Sequence, residues 1–189
     1  MVKPKMLKKG DKIAIVSLSW GGLGDDDLIH KYYIAKERLE NDFGLEVVGM
    51  PNAVKGTDFV YEHPELRAKD LMDAFRDKTI KGIFSAIGGE DSIRILPHID
   101  YDVIRNNPKI FMGYSDTTVS HFILHKAGLI SYYGPSVMCS FGEYVKMFDY
   151  TKDAVKNILF ENSENYCVKS SEYWSNDYVF WNEENINVQ

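Results

Sequence analysis

Three apolar runs that end in small polar residues limit the fold of this chain more than any other feature. Lys12-Ile13-Ala14-Ile15-Val16-Ser17-Leu18 leads into Ser19-Trp20-Gly21-Gly22-Leu23-Gly24. Gly82-Ile83-Phe84-Ser85-Ala86-Ile87 leads into Gly88-Gly89-Glu90-Asp91-Ser92, and Lys109-Ile110-Phe111-Met112 into Gly113-Tyr114-Ser115-Asp116. Runs this short and this continuously apolar read as strands buried on both faces. Segments with apolar residues at helical spacing alternate with them: 27–41 (Leu28, Tyr32, Ala35, Leu39), 63–77 (Leu71, Met72, Phe75), and the residues after Asp116 (Val119, Phe122, Ile123, Leu124). Further strands are expected at 45–48 and 129–133, a loop at 51–61, a helical stretch at 93–96, a short helix within 97–107 and a last helix near 150–160. The alternation predicts an α/β fold, flavodoxin/Rossmann-like, with a mostly parallel sheet and helices on both faces. Ligands of such sheets bind at the carboxyl ends of the strands, where the loops 19–24, 88–92 and 114–117 should converge.

Composition narrows the function. At 189 residues and 44% hydrophobic, the chain can bury a full core as one domain, or as one domain and part of a second. A net charge of −6 argues against a nucleic-acid partner, which needs clustered cations. The basic residues Lys3, Lys5, Lys8 and Lys9 read as a solvated leader. No run approaches the roughly 20 apolar residues of a membrane span, and the start lacks an apolar signal core, so a cytoplasmic protein without a membrane partner is expected. Cys139 and Cys167 fit neither a zinc pattern nor a disulfide framework. Gly22-x-Gly24 after the first strand invites a dinucleotide site. Asp27 stands where a third glycine belongs, and Asp25, Asp26 and Asp27 would repel a pyrophosphate. The loop is expected instead to cap the next helix and to border a pocket.

Gly113-Tyr114-Ser115-Asp116-Thr117 is a strand, a sharp turn and a helix start with a serine in the turn. A hydroxyl placed there stands proud of the sheet. The next residue offers its backbone N–H to a developing oxyanion, and the helix N-terminus adds positive potential. Thr117 replaces the last glycine of Gly-x-Ser-x-Gly, and taken alone the stretch reads as a helix cap before it reads as a nucleophile. Gly88-Gly89 at the neighbouring strand end permits close backbone approach, and its N–H groups could supply the other half of an oxyanion hole. Together these residues leave the cap and the nucleophile evenly balanced.

A resemblance shifts that balance. Ser17-Leu18-Ser19-Trp20-Gly21-Gly22, Ile87-Gly88-Gly89-Glu90-Asp91-Ser92-x-Arg94-Ile95-Leu96-Pro97, Gly113-Tyr114-Ser115-Asp116 and Tyr133-Gly134-Pro135 stand in the order found in the LD-carboxypeptidase family of serine peptidases, closest to its microcin C immunity branch. The similarity covers nearly the whole chain; Leu18 and Glu90 depart from the usual residues, which bears on fine specificity. The resemblance implies Ser115 as nucleophile and the backbone amides of Gly89 and Asp116 as oxyanion hole. Substrate contacts would come from Gly88, Glu90, Asp91, Trp174 and Trp181, the tryptophans stacking on a nucleobase. The implied substrates are murein peptides or an acidic-residue aminoacyl-nucleotide conjugate, cleaved at an amide bond without metal or cofactor, in a possible homodimer.

The family's general base, a histidine held by a glutamate, belongs to a carboxyl-terminal domain. Residues 1–165 are accordingly expected to be the nucleophile domain, and 166–189 a linker or the start of that second domain. His121 and His125 should lie roughly 9 and 15 Å along the helix from Ser115, too far to serve. His30, His63 and His98 fall at helix starts or connections. A serine without a base is a poor nucleophile, so the chain alone is expected to be nearly inactive. The rival readings are a non-catalytic module binding a peptide or nucleotide conjugate, and a flavodoxin-like nucleotide-binding or signalling domain, against which the acidic residues after the glycine loop speak.

Overall fold

The computed structural model describes residues 1–161 and 166–189. Its strands are β1 (Lys12–Val16), β2 (Glu46–Gly49), β3 (Ile80–Ser85), β4 (Ile110–Gly113) and β5 (Tyr132–Tyr133), all parallel in the order β2-β1-β3-β4-β5. The helices are α1 (Ile29–Phe43), α2 (Thr57–Glu62), α3 (Pro64–Arg76), α4 (Tyr101–Asn106), α5 (Thr118–Ala127) and α6 (Asp149–Leu159).

Side chains alternate along each strand, so every central strand feeds two cores. Ile13, Ile15, Phe84 and Met112 pack with Ala35, Leu39 and Phe43 of α1 and with Val155 and Leu159 of α6. Ala14, Val16, Ile83 and Phe111 pack on the other face with Ala68, Leu71 and Phe75 of α3 and with Ile123 and Leu124 of α5. This double burial is why the strands read as unbroken apolar runs. Because β1 lies between β2 and β3, the connections leave it in opposite directions, the arrangement that in open parallel sheets places ligand sites at the carboxyl ends of the strands. Val16 pairs with Ser85 and Phe84 with Met112, which brings three strand ends level there. Beneath the opposite end, buried Lys109 donates from Nζ to the carbonyls of Ala74 (2.7 Å) and Asp77, satisfying the carboxyl end of α3.

Several local expectations are corrected. The expected loop 51–61 contains the start of α2, whose six residues are too few to show a helical period. The stretch at 93–96 is part of a 3-10 turn, Ser92–His98, that Pro97 keeps from becoming an α-helix. The last strand is two residues long, and Leu129 instead bridges to Val2 near the amino terminus. The first glycine loop does not cap α1: the residue before that helix is Leu28, and no side chain caps it. Asp25 from this loop accepts from the Thr57 N–H (2.6 Å) and hydroxyl (2.5 Å), so it holds the start of α2. A Cβ on Gly24 would lie 2.3 Å from the Val54 carbonyl carbon, so its glycine serves chain packing.

The expected domain boundary at 165/166 falls at residues 162–165, which lie outside the described residues. Further on, the end of the chain docks on the segment after Phe141. Tyr144 Oη donates to the Asn182 carbonyl (3.0 Å) and Gln189 Nε2 to that of Lys146 (2.6 Å). Among the described residues no helix is long and apolar enough to cross a membrane.

Candidate active site

β4 ends at Gly113, Tyr114 is extended, and Ser115 then takes φ 62°, a left-handed conformation rare outside glycine. Such a residue costs on the order of 1–2 kcal/mol and persists only where its surroundings hold it. Four hydrogen bonds do so. The Ser115 N–H donates to Tyr133 Oη (3.1 Å), and the Ser115 carbonyl accepts from Thr118 Oγ1 (2.6 Å). The Gly113 carbonyl accepts from the Gly134 N–H (3.1 Å) and meets His121 Nε2 (2.9 Å). The Ser115 hydroxyl itself is exposed and makes no hydrogen bond among the described residues. It is therefore not the cap of the following helix, the bland alternative for a serine in this turn.

The end of β3 touches this turn. A Cβ on Gly88 would lie 2.8 Å from both Cβ and Oγ of Ser115 and 3.1 Å from the Asp116 nitrogen, so only glycine fits between the two strand ends. The Gly88 carbonyl accepts from the Trp20 N–H (3.1 Å). In a trans peptide the N–H points opposite to the C=O, so the Gly89 N–H faces away from the first loop. Among the described residues, neither the Gly89 nor the Asp116 N–H is engaged in a loop or turn hydrogen bond.

A buried polar network fixes the three loops to one another. Arg67, 1% exposed, grips Asp91 with both nitrogens of its fork (2.9 and 3.2 Å) and also donates to the carbonyls of Leu18 and Ser19. Arg94 reaches the same carboxylate (3.1 Å). Ser19 Oγ donates to Asp116 Oδ2 (2.6 Å), which also accepts from the Ser92 N–H (2.8 Å), while Ser92 Oγ donates to the Asp116 carbonyl (2.8 Å). Burial alone would raise the Asp116 carboxyl; the hydrogen bonds from Ser19 and Ser92 outweigh it and hold the group below the usual carboxylate range. The carboxylates of Asp91 and Asp116 are thus occupied with the loops themselves, whereas Glu90 is exposed beside Gly89. From the sequence, Arg67 has no assigned role, and Ser19 and Ser92 enter only as members of loops and motifs. Arg67 did leave a trace there: it falls in register with Leu71 and Phe75, on the buried stripe of its helix.

The two tryptophans differ. Trp174 is 83% exposed, whereas Trp181 is half-buried against the core. Its ring covers Lys31 Nζ at 4.6 Å, with the Tyr144 ring on another side at 4.1 Å. Lys31 is wholly buried, and among the described residues its Nζ has no hydrogen-bond partner. Burial pushes its pKa down to about 8, against the pull of Glu143 and Cys139, while Arg38 adds to the lowering. A lowered lysine favours the covered state as it loses its proton, so cover by Trp181 should tighten as pH rises from about 8 towards the usual 10.5. Acrylamide quenching of Trp181, with Trp20 and Trp174 replaced by phenylalanine, should decline over that range, and Lys31→Met should abolish the dependence.

No histidine is placed to activate Ser115 among the described residues. His30 bonds Tyr144 Oη (2.8 Å), His63 bonds Glu65 (2.9 Å), and His98 and His125 are exposed. His121 spends Nε2 on the Gly113 carbonyl, which makes it the protonated nitrogen, and Nδ1 on Ser131 Oγ (2.8 Å). Burial lowers its pKa and keeps it neutral, the Gly113 carbonyl opposing. The described residues also contain no cluster of three or more His, Cys, Asp or Glu side chains suited to a metal. What the site presents is an exposed serine hydroxyl at the end of β4, packed against Gly88, with no base beside it among the described residues.

Residues 13–134 match the model of the LD-carboxypeptidase N-terminal domain, well over half of the chain. The chain belongs to the LD-carboxypeptidase family. It is 40% identical over 122 residues to the microcin C7 self-immunity protein MccF of Escherichia coli, covering 64% of this chain and 36% of that protein. It is 33% identical over 142 residues to a probable murein peptide carboxypeptidase of Bacillus subtilis, covering 74% and 42%. The crystal structure of an MccF-like protein from Streptococcus pneumoniae in complex with AMP superposes with a TM-score of 0.87 at 35% identity, covering 95% of this chain and 53% of that one. The chain thus spans about half the length of the LD-carboxypeptidase relatives it matches.

Proposed function

We propose that this chain is the nucleophile-bearing part of a serine hydrolase that cleaves an amide bond in an acidic-residue aminoacyl-nucleotide conjugate. The observation that carries the reading is Ser115, held at a left-handed φ with its hydroxyl exposed and unspent, against the one residue type that fits beside it. Ser115 Oγ attacks the carbonyl carbon as a base takes its proton. The oxyanion is received by the N–H groups of Gly89 and Asp116, which the loop network holds in place. The C–N bond breaks as the base returns its proton to the leaving nitrogen, and water then releases the acyl group from the serine.

The base comes from outside the described residues, since the imidazoles here are engaged or remote. In this reading residues 166–189 lead towards the part that supplies it, and the isolated chain is nearly inactive. The relatives act on or bind different things by name: one confers microcin C7 immunity, one is a probable murein peptide carboxypeptidase, and one holds AMP. Exposed Trp174, and Trp181 with the ring face turned from Lys31, would supply stacking surfaces for a nucleobase, which favours the conjugate. Gly88, Glu90 and Asp91 border the acyl side.

The test uses the chain extended at its carboxyl end with the second half of a relative. It should release the acidic amino acid from an aspartyl-nucleotide conjugate faster than it trims a murein tetrapeptide. The reverse preference moves the substrate to murein. Micromolar binding without turnover of either would make this a binding module, the reading that the unpartnered Ser115 hydroxyl also allows.

A further inference from the structure

The conformation of a residue is fixed by the two peptide planes that flank its Cα. At Ser115 both planes are held, and by different elements. The plane before it is held through its N–H, which donates to Tyr133 Oη at 3.1 Å. The plane after it is held through its C=O, which accepts from Thr118 Oγ1 at 2.6 Å. The second bond comes from the first turn of α5 and would form in many helix starts. The first comes from β5, a strand of only two residues at the edge of the sheet.

Tyr132 of β5 packs against the core, and the contacts of Tyr133 set the position of that phenol. Tyr133 stands opposite Gly113 in the parallel register, and the next N–H, from Gly134, closes on the Gly113 carbonyl at 3.1 Å. The Tyr133 ring lies 5.5 Å from the His121 ring, and His121 Nε2 meets that same carbonyl at 2.9 Å. The ring is otherwise solvent-facing, 66% exposed, so it adds little to the core. An exposed tyrosine whose oxygen reaches the amide of the strained residue is in the wrong place for a packing role.

We propose that Tyr133 is a positioning residue of this site: its phenol oxygen holds the Ser115 amide and with it the left-handed backbone that presents the Ser115 hydroxyl. The proposal builds on the serine reading above but concerns the backbone, so the two can fail separately. Holding the first plane also keeps the Ser115 N–H out of the reaction and leaves the Asp116 N–H, on the far side of the Thr118-bound carbonyl, as the free donor of the turn.

Tyr133→Phe keeps the ring and removes only the oxygen. In the chain as it stands, hydrogen exchange at the Ser115 amide, followed by NMR, should quicken about tenfold or more, with the thermal midpoint unchanged because the lost atom is exposed. In the carboxyl-extended chain, kcat for amide hydrolysis should fall about 10–100-fold with KM unchanged, the expected result of a slightly displaced nucleophile. Unaltered Ser115 exchange in Tyr133→Phe overturns the proposal whatever the activity, as does a raised KM with unchanged kcat. If Ser115→Ala still hydrolyses the substrate, the serine reading falls while the exchange result continues to decide the role of Tyr133.

Discussion

Arg67→Met is expected to lower the unfolding free energy of the chain by about 3 kcal/mol, read as a fall in the urea midpoint without a change in slope. Methionine nearly fills the volume but removes the fork that grips Asp91 and the donors to the Leu18 and Ser19 carbonyls. Breaking one side of a buried pair commonly costs about 3–5 kcal/mol. The lower end applies here because Asp91 is partly exposed and keeps Arg94. The loss should be felt at the loops as well, since Asp91 follows directly on Gly88-Gly89-Glu90 and shares Ser19 with Asp116. A midpoint shifted by less than a third of this would mean that the network forms but does not bind the loops together.

Ser115→Ala is expected to reduce amide hydrolysis by the carboxyl-extended chain by on the order of 10⁴-fold or more, while leaving the melting temperature within a degree or two. The stability forecast follows from the hydroxyl itself, which is exposed and bonds to nothing among the described residues. The activity forecast follows from its being the group that attacks the carbonyl in the scheme. Residual turnover should reflect binding and the oxyanion donors alone. A variant that kept a tenth of the parent rate would move the nucleophile elsewhere.

Much of this could be read from the sequence, for physical reasons. Strands covered on both faces must be apolar throughout, so β1, β3 and β4 announced themselves, and a serine between a strand and a helix marked the turn. What stayed hidden depends on contacts between distant segments. The register of Arg67 with Leu71 and Phe75 places it on the buried stripe of α3, but its partners, 24 residues away at Asp91 and further off at Leu18 and Ser19, leave no mark in the sequence. Lys31 gave no sign that two aromatic rings would cover it, because Tyr144 and Trp181 arrive from the far end of the chain. The sequence places Tyr133 at a strand end and in the Tyr133-Gly134-Pro135 motif but says nothing of its phenol oxygen, which meets the Ser115 amide. The six residues of α2 are too few to show a period, while the strand expected at 129–133 is present but shortened to Tyr132–Tyr133.

The most direct measurement is the intact mass of the protein after exposure to a fluorophosphonate, made on the chain as it stands and on the carboxyl-extended chain, with Ser115→Ala as control for each. A serine that waits for a base from outside these residues should remain unlabelled in the first, gain one adduct at Ser115 in the second, and show none in either control. Labelling of Ser115 in the chain alone would contradict the account by showing a base already in place. An extended, folded chain that stays unlabelled at Ser115 would contradict it more deeply, because the residue at the centre of the site would then not be a nucleophile.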